Sequence, residues 1–245
     1  MEPEVSIIIP FYNCSYVDKA ITSVLEQTHK DFEIIVVNDG SSLYADKLNP
    51  FLDRIRLIEK ENGGTASALN AGIKAAKGKY FCWLSSDDYF TPEKLANQLQ
   101  FMREKESLAS FSSFYMVDAN EQILDGPIIL DIPDRLALYK RLRGNCPVNG
   151  CTVMLHMEIF KKIGYFDESL LYTQDYDFWL RLVKHYDFHY YTRPLLYYRM
   201  HDEMGTRKHA GDIRREFRTV RQKHRDSMNQ LIKTELLRLE ALSDS

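Results

Sequence analysis

The chain has 245 residues, of which 44% are hydrophobic and 27% are charged, and its formal net charge at pH 7 is −3. This composition is ordinary for a globular protein, and the slight excess of acidic residues argues against nucleic acid as a partner. No window approaches the roughly 18 consecutive apolar residues that cross a bilayer. The opening MEPEVSIIIP lacks the basic and long apolar regions of a signal peptide.

Four cysteines occur in the chain without any C-x-x-C spacing, namely Cys14, Cys82, Cys146 and Cys151. This spacing disfavours a zinc site and indicates reduced thiols. Together with the opening sequence, it leads us to expect a cytoplasmic protein.

Short apolar runs alternate with helix-like segments over the first 105 residues. The runs, which predict strands, lie at 5–10, 32–39, 54–60 and 79–86. Because they are continuously apolar, they are typical of strands buried on both faces of a parallel sheet. Residues 15–27 and 65–77 predict helices, and Thr91 and Pro92 predict the start of another. The alternation indicates an α/β fold with a doubly wound, mostly parallel sheet, in which ligands bind at the carboxyl ends of the strands.

The second half of the chain is less regular. It predicts a strand with a hairpin around Asp118, a helix, a strand leading into a helix that Gly164 ends, and a further helix. These elements lie at 107–124, 134–144, 148–169 and 173–186. The last segment, 211–242, predicts one long helix whose first part is strongly basic.

We expect one catalytic domain, residues 1–205, followed by a basic amphipathic helical extension, residues 206–245. Within the domain, a nucleotide-binding half covers about 1–105 and a second half about 106–205. The extension could be a solvated helix, a dimer contact, or an anchor to an anionic membrane at about 1 kcal/mol per well-placed Lys or Arg. It could also pack on the domain through Phe217, Val220, Met228, Leu231, Ile232, Leu236 and Leu239.

Polar clusters follow all four strands of the first half, at 10–13, 38–42, 60–64 and 85–88. Each cluster alone reads equally well as a turn, since Asp-Gly-Ser and Asn-Gly-Gly are good turn sequences. Four clusters at the carboxyl ends of parallel strands together indicate a binding crevice. The chain has neither G-x-G-x-x-G nor a Walker sequence, which disfavours dehydrogenases and P-loop NTPases.

Several carboxylates are candidates for chemistry in this crevice. Asp87 and Asp88 are adjacent, and Mg²⁺ or Mn²⁺ would relieve their repulsion and recruit a diphosphate; helix capping or solvation is the alternative. Asp175, near the start of a predicted helix, could act as a general base or only complement the helix dipole. Asp39 could accept hydrogen bonds from a base or a ribose.

The segment YRMHDEMGTRKH, residues 198–209, offers cationic donors to a diphosphate. They are Arg199, His201, Arg207 and Lys208. A lone histidine is more often a surface or core residue than a ligand, so both interpretations of His201 stay open.

Five segments, VSIIIPFYN, IIVVNDGSS, NGGTASALNAGI, WLSSDD and TQDYDFWLRL, occur in this order along the chain. In order and spacing they resemble the motifs of family 2 glycosyltransferases of GT-A fold, over roughly residues 4–205. The resemblance implies inverting transfer of a sugar from a nucleotide-diphosphate donor, such as a UDP-sugar, to an acceptor hydroxyl, with Mn²⁺ or Mg²⁺ as cofactor. It suggests a bacterial surface polysaccharide or lipid-linked saccharide as acceptor, and a location in the cytoplasm or on the inner face of the membrane.

The resemblance also implies roles for individual residues. Asp175 matches the catalytic base, and Asp87, with Asp88 beside it, matches the metal-binding aspartate of the D-x-D motif. The implied donor site consists of Pro10, Tyr12, Asn13, Asp39, Asn62, Gly63, Asn70, Ser86, Asp87, Arg199 and His201. The resemblance makes the second half, about 106–205, the acceptor-side half, and Gln174 and Trp179 fall on the acceptor side.

Two positions depart from the family pattern. Ser85 stands where D-x-D has its first aspartate, and Gln174 stands where a glutamate precedes the base. They keep open a nucleotide-sugar-binding or scaffold protein of the same fold in which catalysis is impaired. A nucleotidyltransferase is disfavoured because PFYNCSYVDK has no glycine and keeps Lys19 inside a helix. Nucleic-acid binding through the basic helix is disfavoured because the rest of the chain is acidic.

Overall fold

Eight strands form one mixed sheet at the centre of the computed structural model, which describes residues 2–202 and 209–243. The strands are β1 (Val5–Phe11), β2 (Phe32–Asp39), β3 (Arg56–Lys60), β4 (Tyr80–Trp83), β5 (Tyr89–Phe90), β6 (Ala109–Val117), β7 (Met154–His156) and β8 (His189–Arg199). Their order across the sheet is β3-β2-β1-β4-β7-β6-β8-β5.

Seven α-helices accompany the sheet in the described residues. They are α1 (Val17–Leu25), α2 (Gly64–Ala75), α3 (Lys94–Glu104), α4 (Arg135–Gly144), α5 (Glu158–Ile163), α6 (Gln174–Leu182) and α7 (Ala210–Ser243). Short 3-10 turns occur at Ala45–Phe51 and Gly150–Thr152.

The first half of the sheet is parallel, as its continuously apolar runs predict. β1 lies between β2 and β4 and pairs with both in parallel register, and β3 pairs with β2. The side chains of β1 are buried on both faces, and α2 packs so closely on this strand that a Cβ on Gly72 would lie 2.4 Å from Ile8. The carboxyl ends of β1 to β4 therefore share one edge of the sheet, which we call the crevice.

The second half of the sheet is mixed. β7 is antiparallel to both β4 and β6, whereas β6 and β8 run parallel. The turn at Asp118 is present, but residues after it form only isolated bridges, such as Val117 with Ile123. Gly164 ends α5 with a φ of 81°, as expected.

Two features of the fold differ from the sequence-based expectations. The helix expected to start at Thr91 and Pro92 begins at Lys94, because residues 91–93 form a turn in which the Lys94 amide donates to the Thr91 carbonyl, 3.1 Å away. β8 was not expected as a strand, since its Pro194 interrupts the pattern. The proline lies at a register irregularity opposite Ser113, where a missing amide hydrogen is tolerated.

The long helix α7 packs against the domain through the apolar face that its register predicts. Val220, Met228 and Ile232 are buried, and Phe217, Leu231 and Leu239 are partly buried against the core. Leu236 is an exception, being 40% exposed. The expected boundary at residues 205/206 lies outside the described residues, as do Arg207 and Lys208. No helix in 2–202 or 209–243 is long and apolar enough to cross a membrane.

Buried ionic contacts reinforce this packing. Asp177 of α6 is bonded by Arg181 Nε at 2.7 Å, Lys223 Nζ at 3.0 Å and His224 Nε2 at 2.8 Å. Burial alone would raise the pKa of Asp177, but these hydrogen bonds hold it below its usual value. Removing one partner of such a network leaves a buried charge uncompensated, so α6 and α7 are locked together.

If α7 is part of the folded domain, truncating one of its buried side chains destabilises the whole protein. We expect Met228→Ala to lower the free energy of unfolding by about 2–5 kcal/mol through lost burial and a cavity. Leu237→Ala, at a 56% exposed position of the same helix, is the matched control and should change it by less than about 0.5 kcal/mol. Urea unfolding measures both, and equal effects would contradict the packing of α7.

Candidate active site

The loops after β1 and β2 are tied together at the crevice. Asn13 has a φ of 48°, and its side-chain oxygen accepts hydrogen bonds from the amides of Ser42 (2.9 Å) and Leu43 (2.8 Å). Its own amide donates to Ser41 Oγ at 3.0 Å. Tyr12, in contrast, is 55% exposed. The geometry thus gives Asn13 a role in shaping the loop, while Tyr12 presents a free ring surface.

Asp39 joins the loop after β2 to the start of α2. Its buried carboxylate accepts hydrogen bonds from Lys60 Nζ (2.6 Å), the Gly63 amide (3.0 Å) and the Gly64 amide (2.8 Å). Asn62 Nδ2 donates to the Asp39 carbonyl at 2.9 Å. Sequence reasoning brought Asp39, Asn62 and Gly63 to one site, but it assigned no role to Lys60, whose charge compensates the carboxylate.

The remaining polar residues expected around the donor are mostly buried. Asn70 bonds the backbone of Phe166 through both ends of its amide, at 2.9 and 3.0 Å, and so ties α2 to the loop before α6. Ser86 is buried, and Pro10 is partly buried. The donor contacts implied for these residues stay predictions.

Asp87 and Asp88 follow β4, and the structure gives them different surroundings. Asp88 is buried; its Oδ1 accepts a hydrogen bond from the Arg199 amide at 2.9 Å, whereas its Oδ2 has no partner among the described residues. Burial and the charge of Asp87 raise the pKa of Asp88 well above its ordinary value. A neutral Asp88 carboxyl would relieve the repulsion between the neighbouring side chains. Asp87 is more exposed, and its Oδ2 lies 3.1 Å from His201 Nε2.

Arg199 lies beneath this aspartate pair with no exposure to solvent. Its Nε donates to the Asp87 carbonyl at 2.9 Å, and its terminal nitrogens contact the Ala119 carbonyl and the Glu121 carboxylate, each at 3.3 Å. The guanidinium also lies over the ring of Tyr16, 4.3 Å from the centroid. These contacts occupy the guanidinium, so a direct contact with a diphosphate would require the side chain to move. That role stays a prediction.

Asp87 and His201 offer one carboxylate oxygen and one imidazole nitrogen on the same side of the crevice. Carboxylate oxygens suit Mg²⁺ and Mn²⁺, and Mg²⁺ usually takes only one or two protein carboxylates, the rest of its shell being water and phosphate. In the described ranges, no group of three or more His, Cys, Asp or Glu side chains could hold a metal. The Asp87 carboxylate fits a cation that takes most of its other ligands from phosphate and water.

Ser85, which replaces an aspartate of the family motif, is bonded to a buried cysteine. Its amide donates to Cys151 Sγ and the thiol donates to Ser85 Oγ, both at 3.2 Å. Burial, followed by the charge of Asp88, raises the pKa of Cys151 well above its ordinary value, which keeps the thiol protonated as a donor. A carboxylate at position 85 would add a third acid to this buried cluster, and a serine avoids that repulsion. All four cysteines are free thiols.

Asp175 is the second residue of α6, and its carboxylate is half-buried. Desolvation and, as a smaller contribution, the charge of Glu216 raise its pKa to about 6, against the lowering effect of hydrogen bonds from backbone amides such as Tyr176 N at 2.7 Å. A general base works best with a pKa near the working pH. Asp175 is therefore a carboxylate suited to accept a proton at neutral pH.

The two residues expected on the acceptor side differ in position. Gln174 is buried beside Asp175, and its Oε1 has no partner within the described part of the chain. Trp179 lies fully in the core, with its ring 5.4 Å from that of Phe188. An acceptor contact would require Trp179 to leave the core, so its acceptor-side role stays a prediction that the geometry does not favour.

Comparison with known proteins decides the family. A model described as "Glycosyl transferase family 2" matches residues 6–164, well over half of the chain. The chain belongs to glycosyl transferase family 2. The matched range includes the polar clusters that follow β1, β2, β3 and β4, and it ends before Asp175.

Two relatives extend the similarity beyond this family 2 match. An "Uncharacterized glycosyltransferase" of Rickettsia felis is 38% identical over 216 residues, which cover 84% of this chain and 36% of the relative. The "UDP-Glc:alpha-D-GlcNAc-diphosphoundecaprenol beta-1,3-glucosyltransferase WfaP" of Escherichia coli is 32% identical over 183 residues, which cover 73% of this chain and 70% of the relative. The chain thus spans about a third of the length of the rickettsial relative.

A solved structure supports the fold of this family 2 chain. S. aureus TarS 1–349 in complex with UDP-GlcNAc superimposes with a TM-score of 0.69 at 19% identity, covering 89% of this chain and 65% of that one. The likeness confirms the predicted GT-A fold, with a mostly parallel sheet and a long C-terminal helix.

The raised pKa of Asp175 predicts a pH-dependent effect of its removal. Because the folded state binds this proton more tightly than the unfolded state, the associated stability is complete below pH 3.8, the ordinary pKa, and is lost as the pH rises through about 6. The Asn side chain stays neutral at every pH, so Asp175→Asn does not lose this stability. The free energy of unfolding of Asp175→Asn, relative to that of wild type, should therefore rise by about 1–3 kcal/mol between pH 4 and pH 7. Urea unfolding across that range tests this, and a difference independent of pH would contradict it.

Proposed function

We propose that this chain is an inverting glycosyltransferase, which moves a sugar from a nucleotide-diphosphate donor to an acceptor hydroxyl. The observation that carries the proposal is the pairing of Asp87 with His201 at the carboxyl end of β4, 3.1 Å apart, in a chain of family 2. Phosphate-linked ligands bind at this edge of doubly wound sheets. Asp175 supplies a carboxylate whose pKa suits a base.

A UDP-sugar is the proposed donor. The name of the Escherichia coli relative specifies UDP-Glc, and the S. aureus TarS structures contain UDP and UDP-GlcNAc. In this chain, the exposed Tyr12 ring offers a stacking surface beside the loops that Asn13 and Asp39 hold. A nucleoside there would direct its diphosphate toward Asp87.

Mn²⁺ or Mg²⁺ is the proposed cofactor, held by Asp87 and His201 together with phosphate oxygens. When bound, such a cation supplies positive charge against the charge that grows on a leaving diphosphate. Asp88 is buried and accepts a hydrogen bond from the Arg199 amide. It would therefore stabilise the loop that carries Asp87 rather than bind the cation itself.

The proposed displacement is a single step. The acceptor oxygen bonds to the anomeric carbon while the bond from that carbon to the diphosphate oxygen breaks on the opposite face, which inverts the configuration. Asp175 takes the proton of the acceptor hydroxyl, and the electron pair of the broken bond leaves with the nucleoside diphosphate. Base catalysis of this kind contributes about 10²–10⁴-fold.

The acceptor is proposed to be a carbohydrate or a lipid-linked saccharide used in bacterial surface polysaccharide synthesis, since the name of the Escherichia coli relative specifies a diphosphoundecaprenol acceptor. Work on a lipid-linked acceptor would take place on the cytoplasmic face of the membrane, through peripheral association. The exposed basic residues of α7, among them Arg218 and Arg225, are one surface that would contact the membrane. Alternatively, residues 211–242 would form the contact of a homodimer.

A nucleotide-sugar-binding protein without transfer activity is the second candidate. Gln174 in place of a glutamate, with a buried and unpartnered Oε1 in the described chain, favours it. Both candidates bind the donor, so only sugar transfer separates them.

Donor binding is tested by thermal shift with a panel of nucleoside diphosphates, with and without Mn²⁺. A ligand at a hundredfold excess over its Kd adds about 2.7 kcal/mol of apparent stability. We expect a Mn²⁺-dependent shift with UDP in wild type that Asp87→Ala loses and Asp53→Asn, an exposed aspartate in the turn before β3, retains. A shift that survives in Asp87→Ala would remove Asp87 from the donor site.

Transfer is tested separately by removing the base. Asp175→Asn should keep the UDP-induced thermal shift and lose transfer from a UDP-sugar by about 10²–10⁴-fold. Product formation is followed by mass spectrometry with a panel of saccharide acceptors. Near-normal transfer by Asp175→Asn would contradict the assignment of the base, and binding without transfer in wild type would favour the second candidate.

A further inference from the structure

The loop that precedes α6, residues 171–173, is held by one carboxylate of α7. Glu216 Oε1 accepts hydrogen bonds from the amides of Tyr172 (2.9 Å) and Thr173 (2.7 Å) and from Thr173 Oγ1 (2.7 Å). Its Oε2 accepts one from the Leu171 amide at 3.0 Å. Three successive amides and a hydroxyl thus converge on a side chain from a part of the sequence more than forty residues away.

Glu216 supplies an acceptor for the residues that lead into α6, up to its N-cap Thr173. Thr173, the N-cap of this helix, makes no side-chain capping bond to α6; its hydroxyl and amide both turn to Glu216 instead. Unbonded amides at a helix start are costly when they are buried, and Thr173 is buried. The conformation of the loop therefore depends on the Glu216 carboxylate.

Packing on both sides fixes Glu216 in place. The next residue, Phe217, stacks on Tyr176 with ring centroids 4.4 Å apart and planes within 7°. One turn further along α7, Val220 is buried, and His224 bonds Asp177. The helix thus contacts the chain immediately before and immediately after Asp175.

In the described part of the chain, the Asp175 side chain is oriented by its own backbone turn. Its carboxylate is bonded by backbone amides of its own turn, that of Tyr176 at 2.7 Å. Its direction is therefore set by the backbone of residues 173–176, which α7 holds. A catalytic group misplaced by about 1 Å loses on the order of 10²-fold in rate, so the support matters for chemistry and not only for folding.

We propose that Glu216 is a positioning residue for the base Asp175, and that α7 is therefore part of the catalytic apparatus rather than an appended extension. The proposal rests on the function proposed above. Glu216 acts through the 171–173 loop by holding its amides, and through space by placing a negative charge near the base.

Among residues 2–202 and 209–243, Glu216 of α7 is the charged group that acts on Asp175, while α6 contributes backbone amides. The Cys146 thiol, in the segment after α4, is buried, and its pKa is raised by burial and then by the charge of Asp175. Loss of the Glu216 charge favours the ionised form of Asp175, so the pKa of Asp175 should fall in a variant without this charge.

The decisive variant is Glu216→Gln, compared with Glu235→Gln. Glu235 is also a buried carboxylate of α7, paired with Arg135 at 2.7 Å and Arg238 at 2.7 Å, but it does not contact the loop. The first readout is the titration of Asp175 followed by carbon NMR in full-length protein. We expect its midpoint to fall by about half a pH unit or more in Glu216→Gln and to stay unchanged in Glu235→Gln.

The second readout is turnover with a UDP-sugar. Glu216→Gln should lower kcat by about 10- to 100-fold with little change in the KM for the donor, while Glu235→Gln keeps both. Thr173→Val, which removes one of the four bonds and keeps the Glu216 charge, should lower kcat by a smaller factor, and an unchanged kcat in this variant overturns the inference if Glu216→Gln does not fold. An unchanged Asp175 midpoint in folded Glu216→Gln overturns the inference. If wild type shows no transfer, the proposed function fails, whereas the titration still decides the positioning role.

Discussion

The guanidinium of Arg199, completely buried, holds the crevice together through contacts with three separate segments. It bonds the Asp87 carbonyl in the loop after β4 and the Ala119 carbonyl in the turn after β6, and it lies over the rings of Tyr16 and Tyr89. A buried cation is tolerated only when it is paired and hydrogen-bonded. These contacts therefore fix the conformation of the loops, and with it the positions of Asp87 and Asp88 after β4.

The two halves of the molecule divide the proposed chemistry between them. The parallel half, β1 to β4, presents Asp39, Tyr12 and Asp87 at one edge because parallel strands end on the same side. The second half delivers Asp175 on a helix that α7 supports through Glu216 and the buried ionic contacts of Asp177. Donor and base are thus carried by different elements, each held by a buried polar network.

Local patterns were enough to predict the parallel strands, the order of the clusters and the helix that carries Asp175, because burial on both faces leaves continuous apolar runs. They did not predict β8, whose Pro194 lies at an irregular position. They also did not predict the structural role of Arg199 or the contacts of Glu216 with residues 171–173. Glu216 lies within a basic stretch of the sequence, where a solvent-exposed side chain is expected. Both act through contacts with residues distant in the chain, and such contacts leave no local pattern.

A single displacement with Asp175 as base makes one stereochemical demand. Wild type with Mn²⁺ is incubated with an α-linked UDP-sugar, water serving as the acceptor, and the released sugar is observed by proton NMR before its anomers equilibrate. We predict that the β-anomer forms first, and that Asp175→Asn releases it far more slowly. Initial release of the α-anomer would contradict inversion and with it the role of Asp175.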